Sequence, residues 1–193
     1  MSKKILVILG QPNRNSYNGA LAKAYSEGAR AAGAQVREIC LGEIKFDPCA
    51  MAGAPPGPAL EADLQAAQEA IRWADHLVFV YPIWWGTIPA LLKGFIERVF
   101  TPGFAVNFRK DSPLWDKLLT GRSARLIVTL NTPSFIYRWV FGRPGHMTMK
   151  RAVLGFCGVK PVGITEVGPM KSSTEEKRAR WLQQVHALGR RGV

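Results

Sequence analysis

The chain has 193 residues, 47% of them hydrophobic, and this length suits one domain with a single buried core. We therefore expect residues 1–193 to form a single domain. Lys and Arg number 26 against 14 Asp and Glu, which gives a formal net charge of +12. Such a balance fits a basic, solvated surface or anionic ligands. The basic residues form no interleaved aromatic-basic module, so we do not expect a nucleic-acid partner.

The N-terminus and the cysteines point to a cytoplasmic protein. The apolar run Ile5–Leu9 is too short for a signal-peptide core and has no cleavage site after it. The longest charge-free stretch, His76–Leu92, is interrupted by prolines and is shorter than the roughly 20 residues of a membrane span. The three cysteines are far apart without a CxxC pair, which predicts neither a disulfide framework nor a metal site.

The first half of the chain alternates strand and helix patterns. Lys4–Gly10 is a nearly continuous apolar run, which is typical of a strand buried on both faces. Asn18 and Gly19 begin an alanine-rich helix that extends to about Ala32, where Gly33 ends it. The next predicted elements are a strand at Gln35–Leu41, a Pro- and Gly-rich loop at Phe46–Pro58, and a helix at Leu60–Trp73 whose apolar face is Leu60, Leu64, Ala67 and Ile71.

The second half continues the alternation after a buried strand at Leu77–Tyr81. Pro89 suits the first turn of a helix that extends to about Phe100. Thr101–Gly121 is a long connection, and connections of that length are usually functional. The next predicted elements are a strand at Ala124–Thr129, a helix at Met147–Phe156 ended by Gly158, and a strand at Val162–Val167. A last helix extends to about Leu188. A capping box begins it, formed by Ser172 with Glu175 or by Ser173 with Glu176.

Five strand-helix repeats predict an α/β three-layer sandwich, a parallel sheet with helices on both faces. Five strands of this length fit the flavodoxin-like order 2-1-3-4-5. Ligands of such sheets bind beyond the carboxyl ends of the strands. Here those ends lead into a first loop at residues 11–18, a second loop at residues 82–88 and a third loop at residues 131–137.

The first loop is rich in hydrogen-bond donors and contains no glycine, which excludes a GxGxxG turn and a Walker A loop. It leads into a helix N-terminus, whose free N–H groups attract anions. With Arg14 and Ser16, this pattern predicts a phosphate or pyrophosphate site. The alternative is plain helix capping by Ser16 or Asn18.

The second loop places Trp84 and Trp85 after a buried strand and before Gly86 and Thr87. Two exposed tryptophans are costly unless they cover an apolar surface, and a planar isoalloxazine ring fits them. Loop N–H groups would hydrogen-bond the ring. The alternative places both tryptophans in the core or in a dimer interface. Asn131 and Thr132 of the third loop would line the other side of the ring, although turn chemistry also explains them.

Three motifs carry a family resemblance, and the likeness extends over most of the chain, from about Lys4 to about Gly168. They are Ser16-Tyr17-Asn18 with Leu21, the block from Tyr81-Pro82-Ile83-Trp84-Trp85-Gly86 through Ile88–Gly94 and Glu97–Phe100 to Gly103-Phe104-Ala105, and Phe156-Cys157-Gly158. The chain resembles the NAD(P)H:quinone oxidoreductases of the DT-diaphorase type. Together with the loop patterns, the resemblance predicts flavin contacts from Gln11, Arg14, Ser16, Tyr17, Asn18, Pro82, Ile83, Trp84, Trp85, Gly86, Thr87, Asn131 and Thr132.

Two departures from the family bear on catalysis. Many members carry histidine where Gln11 stands, and a Thr-Thr-Gly-Gly turn where residues 130–133 stand. A tyrosine and a histidine after that turn assist hydride transfer in relatives. Tyr137 and His146 are the nearest candidates at a different spacing, and the alternative for His146 is a structural role.

The resemblance implies a homodimeric flavoprotein that transfers a hydride from NAD(P)H to a quinone-like acceptor by a ping-pong mechanism. We expect FMN, because the compact chain offers no adenosine-binding extension, with FAD as the alternative. A one-electron flavodoxin shuttle and a regulatory flavoprotein bound to a membrane transporter are the alternative functions. Basic residues after the fourth strand predict that NADPH serves at least as well as NADH; they are Arg138, Arg143, Lys150 and Arg151.

Overall fold

A parallel sheet of five strands organises the protein, whose computed structural model describes residues 2–49 and 60–193. The strands are β1 (Lys4–Leu9), β2 (Gln35–Cys40), β3 (His76–Pro82), β4 (Val106–Phe108), β5 (Trp115–Lys117), β6 (Ser123–Thr129) and β7 (Val162–Val167). The order in the sheet is β2-β1-β3-β6-β7, and β4 and β5 pair separately as an antiparallel hairpin. The predicted order 2-1-3-4-5 is therefore confirmed.

Helices cover both faces of this sheet. They are α1 (Tyr17–Ala31), α2 (Ala62–Trp73), α3 (Ala90–Val99), α4 (Ser134–Trp139), α5 (Pro144–Met147), a π-helix (Thr148–Gly155) and α6 (Glu175–Arg191). Side chains alternate between the faces of a strand, so each strand contributes to two apolar layers. Leu6 and Ile8 of β1 pack in the layer that α2 and α3 cover, whereas Ile5 and Val7 pack with α1 and α6. Every residue of β3 is buried, as a central parallel strand requires.

Helix boundaries differ from the predictions at three places. The helix predicted from Leu60 begins at Ala62, and Pro89 caps α3 from outside rather than occupying its first turn. The predicted capping box at Ser172 or Ser173 is wrong. The Ser173 hydroxyl donates to the carbonyl of Met170, and Thr174 caps α6 instead by accepting from the N–H of Lys177.

The structure contains elements that the patterns did not reveal. The single helix predicted at Met147–Phe156 is a four-residue α-helix, α5, that continues as the π-helix. Gly158, at φ +97°, ends this segment as predicted. The third loop contains α4, and the long connection Thr101–Gly121 contains the β4–β5 hairpin. Each of these elements is too short for its periodicity to be recognised.

The predicted loop at Phe46–Pro58 lies partly outside the described residues. Phe46–Cys49 forms neither helix nor strand, and residues 50–58 lie in the segment that the structure does not describe. In the described ranges no helix has the length and apolarity to cross a bilayer. The cysteines are free thiols, with Cys40 and Cys157 buried and Cys49 exposed.

Candidate functional site

The three loops meet at the carboxyl edge of the sheet. β1 and β3 are neighbours from which the chain departs in opposite directions, and ligands of open α/β sheets bind at such a point. The Asn18 side chain donates to Thr129 Oγ1 at 3.0 Å, which joins the first loop to the end of β6. The N–H of Ile83 donates to the carbonyl of Thr129 at 2.7 Å, which joins the second loop to the same residue.

The first loop ends in a capped helix that keeps donors free. Ser16 Oγ accepts from the N–H of Gly19 at 3.1 Å and from the Gln11 side chain. Among the described residues, the N–H groups of Tyr17 and Asn18 have no hydrogen-bond acceptor. Helix capping and an anion site are therefore compatible in this loop, because Ser16 caps α1 while two N–H groups remain for an anion.

Arg14 turns towards β2 rather than towards the second loop. Its guanidinium donates two hydrogen bonds to Glu43, at 2.5 and 2.6 Å, and lies 3.5 Å from Glu38. These bonds hold the pKa of the Glu43 carboxyl below its usual value. Arg14 also lines a cavity of about 570 Å³ between α1 and β2, which no residue of the second loop lines. Contact between Arg14 and a ligand over the second loop requires its release from Glu43.

The second loop is a tight turn with an unusual backbone. Trp84 and Thr87 each donate an N–H to the other's carbonyl at 3.0 Å. The two residues between them have positive φ, +49° at Trp85 and +78° at Gly86. Glycine accepts this conformation freely, but for a bulky residue it costs on the order of 1–3 kcal/mol. Such strain persists where a function maintains it, so the turn is a functional candidate.

The tryptophans of this turn are exposed. Trp84 is 49% exposed and Trp85 is fully exposed, which excludes a place in the core of this chain. Large uncovered aromatic faces next to free N–H groups suit a planar ligand or a protein interface. The residues present therefore fit an isoalloxazine ring, with the α1 N-terminus for its phosphate.

Tyr137 and His146 lie on the buried side of the turn and not on its exposed side. The Tyr137 hydroxyl donates to the carbonyl of Gly86 at 2.9 Å and accepts from the N–H of Gly145 at 3.0 Å. The His146 ring stands edge-on to Tyr137 with centroids 5.2 Å apart. Both side chains are at most 2% exposed, so neither reaches a ligand on the outer face of the turn in this structure.

Glu166 near the end of β7 holds His146 in place. His146 Nε2 lies 2.9 Å from Glu166 Oε1, and Arg143 Nε lies 3.3 Å from the same oxygen. Burial lowers the pKa of His146, and the Glu166 carboxylate opposes that effect. The neutral ring then donates from Nε2, which leaves Nδ1 as a buried acceptor without a partner among the described residues.

Three residues of this support were missed at the level of sequence. Glu166 carried a usable signal, a carboxylate near the end of a strand that leads to the ligand edge. Gly145 carried none, and Arg143 was predicted instead for the NADPH phosphate. A Cβ at Gly145 would lie 2.9 Å from Ile83 Cδ1 and 3.2 Å from Thr87 Cα, so only glycine allows this close approach to the turn.

Some of the other predicted site residues lie at the turn, and others contact residues in or near α6. Pro82 is the buried end of β3, and Thr87 is exposed on the turn. Asn131 Oδ1 accepts from the N–H of Lys171 at 2.9 Å, and the Tyr17 hydroxyl donates to the carbonyl of Arg178 at 2.8 Å. Thr132 is partly buried in the third loop. The structure thus places all predicted contacts at one edge, but several side chains already bond to protein groups.

Comparison with known proteins identifies the family of the chain. Residues 3–188 match a family model described as a flavodoxin-like fold. A ribosyldihydronicotinamide dehydrogenase-like protein of Penicillium crustosum is 33% identical over 152 residues, 66% of this chain and 57% of that protein. The match therefore spans little more than half of that relative's length. The mouse ribosyldihydronicotinamide dehydrogenase [quinone] is 28% identical over 96% of this chain and 92% of its own.

Solved structures share the same architecture. An NAD(P)H:quinone oxidoreductase from Methanothermobacter marburgensis is 25% identical, with a TM-score of 0.81 and coverage of 98% of this chain and 96% of its own. An FMN-dependent NADH-azoreductase from Bacillus anthracis, solved in complex with FMN, has a TM-score of 0.73 over 98% of each chain. At 16% identity the latter likeness concerns the fold alone.

Proposed function

The chain belongs to the flavodoxin-like family, and on that basis we propose that it is a flavin-dependent NAD(P)H:quinone oxidoreductase. The observation that carries the proposal is the strained, exposed turn Trp84–Thr87, which lies beside the donor-bearing N-terminus of α1. Relatives named as quinone dehydrogenases match most of the chain. Those names favour an enzyme over a one-electron shuttle or a transporter-bound regulator.

The cofactor we assign is FMN. The N–H groups of Tyr17 and Asn18 would hold its phosphate, and the turn with Trp84 and Trp85 would hold its ring. When bound, the flavin supplies two-electron hydride transfer between NAD(P)H and the acceptor. Among the described residues, the N–H groups of Trp85 and Gly86 donate no hydrogen bond to a backbone carbonyl, so they would be free to stabilise negative charge on the reduced ring.

Tyr137 and His146 serve as supports for this turn rather than as proton donors. Tyr137 ties Gly86 to α5, and Glu166 fixes His146 beside it. Neither side chain is accessible enough to touch a quinone above the ring. This assignment replaces a direct catalytic role for the pair with a positioning role.

The active form we propose is a homodimer with its sites at the interface. α4 and the following residues expose Phe135, Trp139, Val140 and Phe141, each more than half exposed. Ile136, in the same helix, is only partly exposed. These side chains and the tryptophans of the turn are exposed apolar groups of the kind that protein interfaces cover. A second copy of the chain would cover both areas.

Of the four basic residues predicted to favour the NADPH phosphate, one is held in an ion pair within the chain. Arg143 pairs with Glu166, and Lys150 and Arg151 belong to the π-helix. Arg138 lies over the ring of Trp139 with its guanidinium carbon 4.8 Å from the centroid. Arg143 is therefore the member of this group that is least available to a nucleotide phosphate.

The test is cofactor binding followed by turnover. Purified protein incubated with FMN or FAD should quench flavin fluorescence at one flavin per chain. It should then oxidise NADH or NADPH only when a quinone is present. If neither flavin binds, the proposed function is wrong. Flavin binding without quinone-dependent oxidation would instead favour a shuttle.

A further inference from the structure

A cationic cavity of about 450 Å³ lies near the amino end of β7, away from the three loops. Four basic side chains line it: Lys117, Lys150, Arg151 and Lys160. Among the described lining residues there is no carboxylate, and the other walls come from Gly155, Val159, Pro161 and Val162. The cavity therefore combines concentrated positive charge with an apolar lining.

These cations lie on three elements of the chain, two of which are joined by packing and a hydrogen bond. Lys117 belongs to β5, Lys150 and Arg151 to the π-helix, and Lys160 to the connection before β7. Trp115 of β5 joins the hairpin to the end of the π-helix. Its ring stacks on Phe156 with centroids 4.2 Å apart, and its Nε1–H donates to the Phe156 carbonyl at 2.9 Å.

Gly158 brings the hairpin and the π-helix still closer. A Cβ at this position would lie 2.9 Å from Lys117 Cβ and 2.8 Å from Thr120 Cγ2. The N–H of Leu119 also donates to the carbonyl of Cys157 at 3.0 Å. The walls of the cavity are thus held before any ligand arrives, which lowers the entropic cost of binding.

The cations are not needed to cap the π-helix. The carbonyl of Arg151 accepts from the N–H of Phe156 at 3.0 Å, and the carbonyl of Leu154 accepts from Val159 at 2.9 Å. The helix end is therefore satisfied by backbone groups. Four like charges around one concavity repel one another, and an anionic ligand would relieve that repulsion.

We propose that this cavity binds a small phosphorylated organic molecule. The planar guanidinium of Arg151 suits bidentate contact with a phosphate, and the lysines add point charges around it. Val159, Pro161 and Val162 offer apolar contact to the organic part. The volume falls in the range of small-molecule sites, about 300–1,000 Å³. A lipid headgroup carries the same phosphate chemistry, but a concavity favours a free ligand over a flat bilayer.

The cavity is separate from the proposed flavin site. Val162 begins β7 and Glu166 lies four residues further along it, so the two levels are about 13 Å apart at roughly 3.3 Å per residue. Binding here does not depend on the proposed reaction, and either proposal can fail without the other.

The full chain is first loaded with FMN, and unbound FMN is removed by gel filtration because free FMN belongs to the proposed ligand class. Calorimetry at low salt then follows titration with inorganic pyrophosphate and, separately, with ADP. We compare the double variant Lys150→Ala/Arg151→Ala with the matched control Lys110→Ala/Arg190→Ala, which removes the same charge from exposed residues elsewhere. A second arm measures cosedimentation with vesicles that contain phosphatidylglycerol, with and without pyrophosphate.

We expect submillimolar binding of pyrophosphate that weakens at least tenfold in the cavity variant and less than twofold in the control. ADP should bind more tightly than pyrophosphate, because its organic part contacts the apolar wall. Vesicle binding that depends on Lys150 and Arg151, without binding of either free ligand, would identify a lipid headgroup as the source of the phosphate. Equal weakening in both double variants, or no binding in either arm, would overturn the proposal.

Discussion

The hydroxyl of Tyr137 donates a hydrogen bond to the carbonyl oxygen of Gly86 at 2.9 Å. The Tyr137 hydroxyl oxygen also accepts from the N–H of Gly145 at 3.0 Å, so one side chain joins α4, α5 and the second loop. Glu166 fixes the neighbouring His146 from β7. The exposed turn that we assign to the flavin ring therefore rests on a buried polar support.

Tyr137→Phe tests whether this tyrosine positions the turn. The change removes two neutral hydrogen bonds of about 1 kcal/mol each, so flavin affinity should fall on the order of tenfold. The kcat of the flavin-saturated enzyme and its pH profile should change little. Tyr25→Phe is the control, because Tyr25 is a buried tyrosine whose hydroxyl bonds to the carbonyl of Val193, remote from the loops. A collapse of kcat with unchanged flavin affinity would identify Tyr137 as a proton donor instead.

Trp85→Gly separates backbone strain from ligand contact. Glycine adopts the positive φ at residue 85 freely, so the flavin-free protein should gain about 1 kcal/mol in stability. Flavin affinity should fall, because the exposed indole is lost. Thermal melting without flavin and fluorescence titration with flavin measure the two effects. Asp111→Gly, at φ +57° in another loop, should stabilise the protein without any effect on flavin. Unchanged flavin affinity in Trp85→Gly would remove Trp85 from the site.

Glu43 competes with any anion for Arg14. If Arg14 contacts the flavin phosphate, Arg14→Ala should weaken FMN binding about tenfold, in line with the roughly 1.5–3 kcal/mol of a charge-assisted hydrogen bond. Glu43→Gln should then strengthen FMN binding, because it frees the guanidinium. Arg30→Ala is the control, since Arg30 lines the same cavity but lies outside the first loop. Equal FMN affinity in Arg14→Ala and the parent would leave only the backbone N–H groups as phosphate ligands.

Ser16→Ala should act on stability. The hydroxyl caps α1 through the N–H of Gly19, and loss of such a cap costs about 1 kcal/mol of unfolding free energy. Chemical denaturation of the flavin-free protein measures this loss. Thr174→Ala, which removes the corresponding cap of α6, provides the comparison. A loss confined to flavin affinity, with stability unchanged, would assign the Ser16 hydroxyl to the ligand rather than to the helix.

Two buried histidines should make the protein less stable in mild acid. Burial lowers the pKa of His76 to about 3, and burial also lowers the pKa of His146. The unfolded chain binds a proton near pH 6.5 and the folded chain does not, so stability is full above that pH and falls as the pH drops below it. At pH 4.5, two units below the unfolded pKa, His76 alone should cost roughly 3 kcal/mol, at about 1.4 kcal/mol per unit. Urea unfolding between pH 7.5 and 4.5 measures this slope, and His76→Gln should flatten it. An equal slope in parent and variant would contradict the assignment.

Trp139→Glu tests the homodimer. The charge would lie in the apolar patch that we assign to the interface, so light scattering should give one chain mass of 21.3 kDa in the variant and twice that mass in the parent. Phe108→Glu on the β4–β5 hairpin is the control, because Phe108 is similarly exposed but lies outside the patch. A monomeric parent at micromolar concentration would contradict the proposed dimer.

Periodicity and strand-end position were sufficient to predict the sheet and the edge that carries the site. The strands Ile5–Leu9 and Leu77–Tyr81 are long apolar runs, and a run of that kind has few alternatives to a central parallel strand. The order 2-1-3-4-5 follows from the strand-helix alternation. The three loops could therefore be placed together before any coordinates were considered, although the short elements α4, β4 and β5 could not be recognised.

Only the tertiary structure decided which way each site side chain turns. The sequence predicted Arg14 for an anion, but Glu43 and Glu38, 24 or more residues away, compete for its guanidinium. It predicted Tyr137 and His146 for catalysis, but a glycine at 145 and a carboxylate at 166 draw both behind the turn. Local pattern determines the backbone path because hydrophobic burial acts through periodicity. Side-chain direction depends on partners distant in sequence, and those become neighbours only when the chain has folded.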